Sequence, residues 1–153
     1  MTTKSYIDSL DHFYEKHLNK NTEVYPHIYD ILDVLKSKGI PIAIVSNKRH
    51  PFTLQSVNEF FADYIDITIG SGSDFALKPD PESAEFVLNK FNAKAEDSFF
   101  VGDTGYDINT AKNAGMVSLG VVWGMSSKEK LTTFSPDHMF EKPIELLRFF
   151  EEI

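Results

Sequence analysis

The 153-residue sequence predicts an α/β protein: a doubly wound parallel sheet with helices between its strands. Three observations lead there. A short continuous apolar run at 40–45 has the pattern of a strand covered on both faces, the apolar run at 98–101 reads as a buried strand, and 117–123 reads as a further strand. The segments between them carry apolar residues at helical spacing. Polar groups then follow these runs or their loops, which is where open α/β sheets build ligand sites.

Taken in order, residues 3–19 read as a helix with Ile7, Leu10, Tyr14, His17 and Leu18 along one face. A polar break at 19–22 follows, and Pro26 opens a second helix at its first position. Ile28, Ile31, Leu32 and Leu35 give that helix its apolar face, and Gly39 closes it. The 40–45 strand ends in Ser46-Asn47-Lys48, and Pro51 starts a helix carrying Phe52, Leu54, Val57, Phe60 and Phe61. Residues 64–70 alternate and are β-branched, which predicts a strand that contains Asp66. Leu77-Lys78-Pro79-Asp80-Pro81 precedes a helix with Ala84, Val87, Leu88 and Phe91 on one side.

The 98–101 strand leads into Gly102-Asp103-Thr104-Gly105-Tyr106-Asp107 and a short Ala-rich helix that Gly115 can terminate. A strand over 117–123, a helix over 126–133, a small edge strand over 137–140 and an amphipathic helix over 144–153 complete the chain. Strands alternating with helices at this spacing imply right-handed βαβ units.

The bulk properties exclude several classes of function. A net charge of −8 argues against non-specific nucleic-acid binding, which needs a positive patch. There is no cysteine, hence no disulfide, no thiolate catalysis and no Cys-based zinc site. His12 and His17, the nearest histidine pair, are five apart and off the i, i+4 face a metal pair needs. No apolar run is long enough to span a bilayer, so the expectation is a soluble, cytoplasmic protein that binds neither membrane nor nucleic acid.

Three polar groups remain: Ser46-Asn47, Lys78, and Asp103 with Asp107. Singly, each has an ordinary explanation, such as a turn into a helix or an exposed loop lysine. In a parallel sheet, however, strand ends share one edge, so the three groups can converge. A hydroxyl and an ammonium that donate to phosphoryl oxygens, beside two carboxylates for a hard cation, suit phosphoryl transfer.

In this order the residues resemble the haloacid dehalogenase superfamily of phosphatases, most closely its phosphoglycolate-phosphatase-type branch. Ile44-Val45-Ser46-Asn47-Lys48 is similar to the second motif of that family, Leu77-Lys78-Pro79-Asp80-Pro81 to the third, and Val101-Gly102-Asp103 through Asp107 to the fourth. Tyr25-Pro26 and Gly115-Met116 also look like this branch, and the resemblance runs from about Tyr6 to the C-terminus. It implies that Ser46, Asn47 and Lys78 bind substrate phosphate, with Ser46 and Lys78 catalytic. It also implies that Asp103 and Asp107 hold Mg2+, that the substrate is a small phosphorylated metabolite, and that the sheet is a Rossmann-like core.

The family's first motif, Asp-x-Asp-x-Thr, supplies its nucleophile and its general acid and base. In this sequence no two aspartates are two positions apart; Asp8/Asp11, Asp30/Asp33 and Asp63/Asp66 are all three apart. Residues 1–20 instead look like the last helix of a helical cap, and 21–153 like an incomplete core without its first strand. In the family that strand lies between those ending at Ser46 and Asp103. Its absence would leave two apolar edges unpaired or force them together. The expectation is therefore a fragment, a truncated frame or one half of a two-part enzyme, inactive or very weak alone. Self-association or a partner segment would supply the strand.

Two other classes compete with the phosphatase. A non-catalytic phosphate-binding or assembly module would keep Ser46 and Lys78 and pair its open sheet edge with a partner. A bacterial-receiver-like phosphoacceptor uses similar residues, but places its acids first and its lysine last, the reverse of the order here.

Overall fold

The computed structural model describes residues 3–153, apart from some side chains of the first helix. Its order is α1 (Thr3–His17), α2 (Ile28–Ser37), β1 (Ala43–Arg49), α3 (His50–Phe60), β2 (Ile67–Ser71), α4 (Glu82–Phe91), a single 3₁₀ turn (Ala95–Asp97), β3 (Phe99–Gly102), α5 (Gly105–Asn113), β4 (Val117–Val121), α6 (Lys128–Thr132), β5 (His138–Phe140) and α7 (Pro143–Glu152). Every strand pair is parallel, as the alternation of strands and helices requires.

The helix signals act where the sequence places them, with small offsets. Gly39, at φ 68°, ends α2, and Gly115, at φ 72°, follows α5. α2 begins at Ile28 and not at Pro26, because His27 adopts φ 65° and its Nδ1 lies 2.9 Å from the Asp30 carboxylate. Of the predicted apolar face of α1, the side chains of Ile7, Leu10 and Tyr14 lie outside the described residues. His17 is exposed and Leu18 half-buried. Asp66 precedes β2 and does not lie inside it; its carboxylate accepts from the Ile42 amide at 2.9 Å.

The core is built on β4. Leu119 and Val121 meet Ile31 and Leu35 of α2 and Leu146, Leu147 and Phe150 of α7. Ile108 and Ala111 of α5, and Leu131 of α6, are also fully buried. Burial of such side chains contributes roughly 1.5–3 kcal/mol each, which is why the helical spacing in α2 and α7 is so regular. At the start of α7, Glu145 accepts from the amides of Glu141 (2.7 Å) and Lys142 (3.3 Å), closing its first turn.

The strands form two sheets, β1-β2 and β3-β4-β5. Among the described residues β1 pairs only with β2, and β3 only with β4. No residue of β1 or β3 is fully buried, whereas four of the five residues of β4 are.

Candidate active site

β1 is longer than the apolar run predicts because its ladder is interrupted. Val45 pairs with Ile69, the register then shifts, and pairing resumes only at Arg49 with Ser71. Ser46, Asn47 and Lys48 occupy this irregularity, which re-aims side chains at the end of a strand. Ser46 Oγ accepts from the Lys48 amide at 3.1 Å, which leaves its own proton available to donate.

Asn47 is engaged with the chain that carries Lys78. Its Oδ1 accepts from the Lys78 amide at 2.8 Å and its Nδ2 donates to the Lys78 carbonyl at 3.1 Å. The next carbonyl, that of Pro79, accepts from Asn113 Nδ2 of α5 at 2.9 Å. The Lys78–Pro79 peptide is cis. The Lys78 segment is thus held from β1 on one side and from α5 on the other.

The Lys78 ammonium reaches Asp107 Oδ1 at 2.6 Å, and both side chains are largely buried, at 12% and 6% exposure. It also lies 5.9 Å from the centre of the Phe100 ring. The other oxygen of Asp107 accepts from the Thr104 amide at 2.9 Å and the Thr104 hydroxyl at 2.7 Å. Charge and hydrogen bonds therefore satisfy this buried carboxylate on both oxygens. Gly102 matters here, because a Cβ at that position would overlap the Asp107 side chain.

Asp103 sits on the neighbouring loop. Its Oδ2 accepts from the Met125 amide at 2.7 Å, and a Cβ at Gly124 would overlap the same oxygen. Among the described residues, no hydrogen bond engages Asp103 Oδ1.

Of the predicted residues, Ser46 and Asn47 lie in β1, Lys78 in the loop after β2, Asp103 in the loop after β3 and Asp107 in the first turn of α5, and the structure joins Asn47, Lys78 and Asp107 directly. It changes the emphasis for Asn47, whose amide is occupied by the Lys78 main chain. Sequence reasoning missed Thr104, Asn113, Gly102 and Gly124. The Thr104-x-x-Asp107 spacing is a helix-capping pattern and could have exposed the first of these.

One other candidate lies away from this cluster. A cavity of about 560 Å³ opens between α1, the connection to α2, and α3, lined by Phe13, Tyr25, Phe60 and Phe61 with Lys48 and Ser56. Burial lowers the Lys48 pKa there, and its ammonium donates to Ser56 at 3.2 Å. None of the cluster's five residues lines that cavity. No helix among the described residues is long and apolar enough to cross a membrane.

Residues 2–121 match the family model described as haloacid dehalogenase-like hydrolase. The chain belongs to that family.

Other haloacid dehalogenase-like proteins agree with the branch that the motifs of this chain resemble. It is 30% identical over 138 residues to phosphoglycolate phosphatase of Escherichia coli K12, matching 90% of this chain and 55% of that protein. It is 33% identical over 124 residues to pyrophosphatase PpaX of Listeria welshimeri, matching 80% of this chain and 57% of that one. The chain thus spans a little over half the length of these relatives. In three dimensions it is similar to a candidate phosphoglycolate phosphatase from Lactobacillus delbrueckii, with TM-score 0.87, 26% identity, and coverage of 97% and 64% of the two chains. A haloacid dehalogenase superfamily hydrolase from Ehrlichia chaffeensis gives TM-score 0.73 at 25% identity, covering 98% of this chain and 70% of that one.

Proposed function

We propose that this chain carries the phosphoryl- and metal-binding part of a phosphomonoester hydrolase of phosphoglycolate-phosphatase type. One observation carries the reading: Lys78 is clamped by its main chain to Asn47 at the end of β1 and by its ammonium to Asp107 beside β3. Residues from three separated stretches of sequence are thereby fixed around one strand-end site.

In this reading the Ser46 hydroxyl and the Lys78 ammonium donate to phosphoryl oxygens. Asn47 and Asn113 keep the Lys78 segment in position. Asp103, and Asp107, with one oxygen shared with Lys78, would hold Mg2+. Among the described residues no group of three or more His, Cys, Asp or Glu side chains is arranged for a metal. Two carboxylates are nonetheless a fitting set, since Mg2+ takes one or two of them and completes its shell with water and substrate phosphate. Bound there, magnesium supplies positive charge against the phosphoryl oxygens. The substrate class is a small phosphorylated metabolite.

Asp8, Asp11 and Asp66 are poor candidates for the nucleophile. Asp8 and Asp11 lie on α1, where Asp11 pairs with Arg49. Asp66 lies at the start of β2, the opposite end of the strands from Ser46. The attacking carboxylate therefore comes from a segment other than these residues, and the chain by itself is inactive or very slow.

The test is hydrolysis of p-nitrophenyl phosphate and a panel of small phosphomonoesters. The chain alone should not exceed its Asp103→Asn variant. Joined to a preceding strand that ends in Asp-x-Asp-x-Thr, it should turn over in a Mg2+-dependent way. A well-folded joined form that hydrolyses no phosphomonoester would overturn the reading. The open inner edges of the two sheets favour a second reading, an assembly module that binds phosphate without turnover. The same panel separates the two.

A further inference from the structure

We infer that Ser83, in the first turn of α4, binds one buried water against the end of β1, and that this water is a further support for the Lys78 loop. Ser83 is 1% exposed, and among the described residues its Oγ has no hydrogen-bond partner. A hydroxyl withdrawn from solvent without a partner is unfavourable, so buried hydroxyls pair with protein or with ordered water. The neighbouring buried positions of α4, Ala84 and Leu88, are apolar and raise no such demand.

The space beside Ser83 suits a single water. A cavity of about 10 Å³ lies between β1, the end of β2 and the first turn of α4, and Ser83 lines it with Asn47, Ser71, Ser73 and Lys78. That volume is at the lower limit for one water, which also needs two to four polar partners. The lining supplies them. Ser73 donates to the Gly70 carbonyl at 2.6 Å and keeps its lone pairs. Asn47, bonded once at Oδ1 and once at Nδ2, keeps one further position on each atom.

The cavity has its cause in the strand pair. The β1–β2 ladder breaks after Val45 and Ile69 and resumes at Arg49 and Ser71, so Ser46, Asn47 and Lys48 stand against Gly70 alone. A bulge leaves its extra residues outside the ladder, and their main-chain groups still need partners. The first turn of α4 closes over this gap. It already holds the loop once, since Glu82 Oε2 accepts from the Ala76 amide at 3.1 Å. A water on Ser83 joins the same turn to the clamp between Asn47 and Lys78. Ser83 is thus a positioning residue for Lys78. The water itself stands on the cavity and the buried hydroxyl; its effect on phosphate binding rests on the function proposed above.

A high-resolution crystal structure of the full chain tests the water. The expected result is one ordered water within hydrogen-bond distance of Ser83 Oγ and of Asn47 or Ser73. A direct protein partner for Ser83 Oγ, or a gap without water, would overturn the inference. Amide exchange tests the support. In Ser83→Ala the amides of Ala76, Lys78 and Asp80 should exchange about three- to tenfold faster, the effect of one lost hydrogen bond. Leu119 in β4 should keep its native rate, which a general loss of stability would not allow. Unchanged loop amides, or equal acceleration at Leu119, would overturn the positioning role. Inorganic phosphate should bind Ser83→Ala weaker by the same factor. If the native chain binds no phosphate, the hydrolase reading fails, and the crystal and exchange results still decide the role of Ser83.

Discussion

Asn47 and Lys78 lie 31 positions apart, yet the Asn47 amide forms a two-bond clamp on the Lys78 main chain, accepting at 2.8 Å and donating at 3.1 Å. This fixes the origin of the Lys78 side chain, so the ammonium does not have to search for the strand-end site. Asn47→Ala should destabilise the fold by about 1–3 kcal/mol, the sum of two ordinary hydrogen bonds. It should also weaken inorganic phosphate binding although it removes no charge. Urea unfolding and phosphate titration check the two effects separately.

Breaking the ion pair should cost more than losing the clamp. Lys78→Met strands a buried carboxylate at Asp107, and the expected loss is about 3–5 kcal/mol. Adding Asp107→Asn should restore much of that loss, since the asparagine oxygen still accepts from Thr104 and no charge is left buried. Chemical denaturation of the two single variants and the double variant gives the coupling directly.

Gly124 tests whether the position of Asp103, and not only its charge, matters for the metal. A Cβ at Gly124 would overlap Asp103 Oδ2, so Gly124→Ala should displace the carboxylate from the Met125 amide. Magnesium affinity, read by calorimetric titration, should fall by about 10–100-fold, the usual cost of disturbing a ligand's support. An unchanged affinity would place the cation away from Asp103.

The carboxylate of Asp137 provides a pH test. The Ser118 hydroxyl and amide, at 2.6 and 2.8 Å, hold its pKa below the ordinary aspartate value of 3.8. A carboxylate whose folded pKa is depressed adds stability above its unfolded pKa, and loses it as pH falls through the folded value. The stability gap between the native chain and Asp137→Asn should therefore be full at neutral pH and close progressively below about pH 4. Because Asp137 is exposed, the gap should be modest. Thermal unfolding across that pH range measures it.

Most elements were legible because burial imposes a period. Ile31 and Leu35 in α2, and Leu146, Leu147 and Phe150 in α7, recur on one helical face and meet in one core. Ser46, Lys78 and Asp103 stood out in the sequence because each follows a strand or its loop, and the structure ties Lys78 to Asn47 and Asp107. What could not be read was set by contacts between distant segments. The bulge between Val45 and Arg49 depends on the register with β2. The hold of Asn113 on Pro79, and the packing of Asp107 on Gly102, join residues whose proximity no local pattern announces. The left-handed turn at His27 likewise shifted the start of α2 in spite of a favourable proline.

The most direct test of the Lys78-centred site is calorimetric titration of inorganic phosphate into this chain, with and without Mg2+, beside Lys78→Met and Asp103→Asn. The expected result is saturable binding that strengthens with Mg2+, is lost in Lys78→Met, and loses its Mg2+ dependence in Asp103→Asn. Binding that is indifferent to all three changes would contradict the account and place the phosphate elsewhere on the chain.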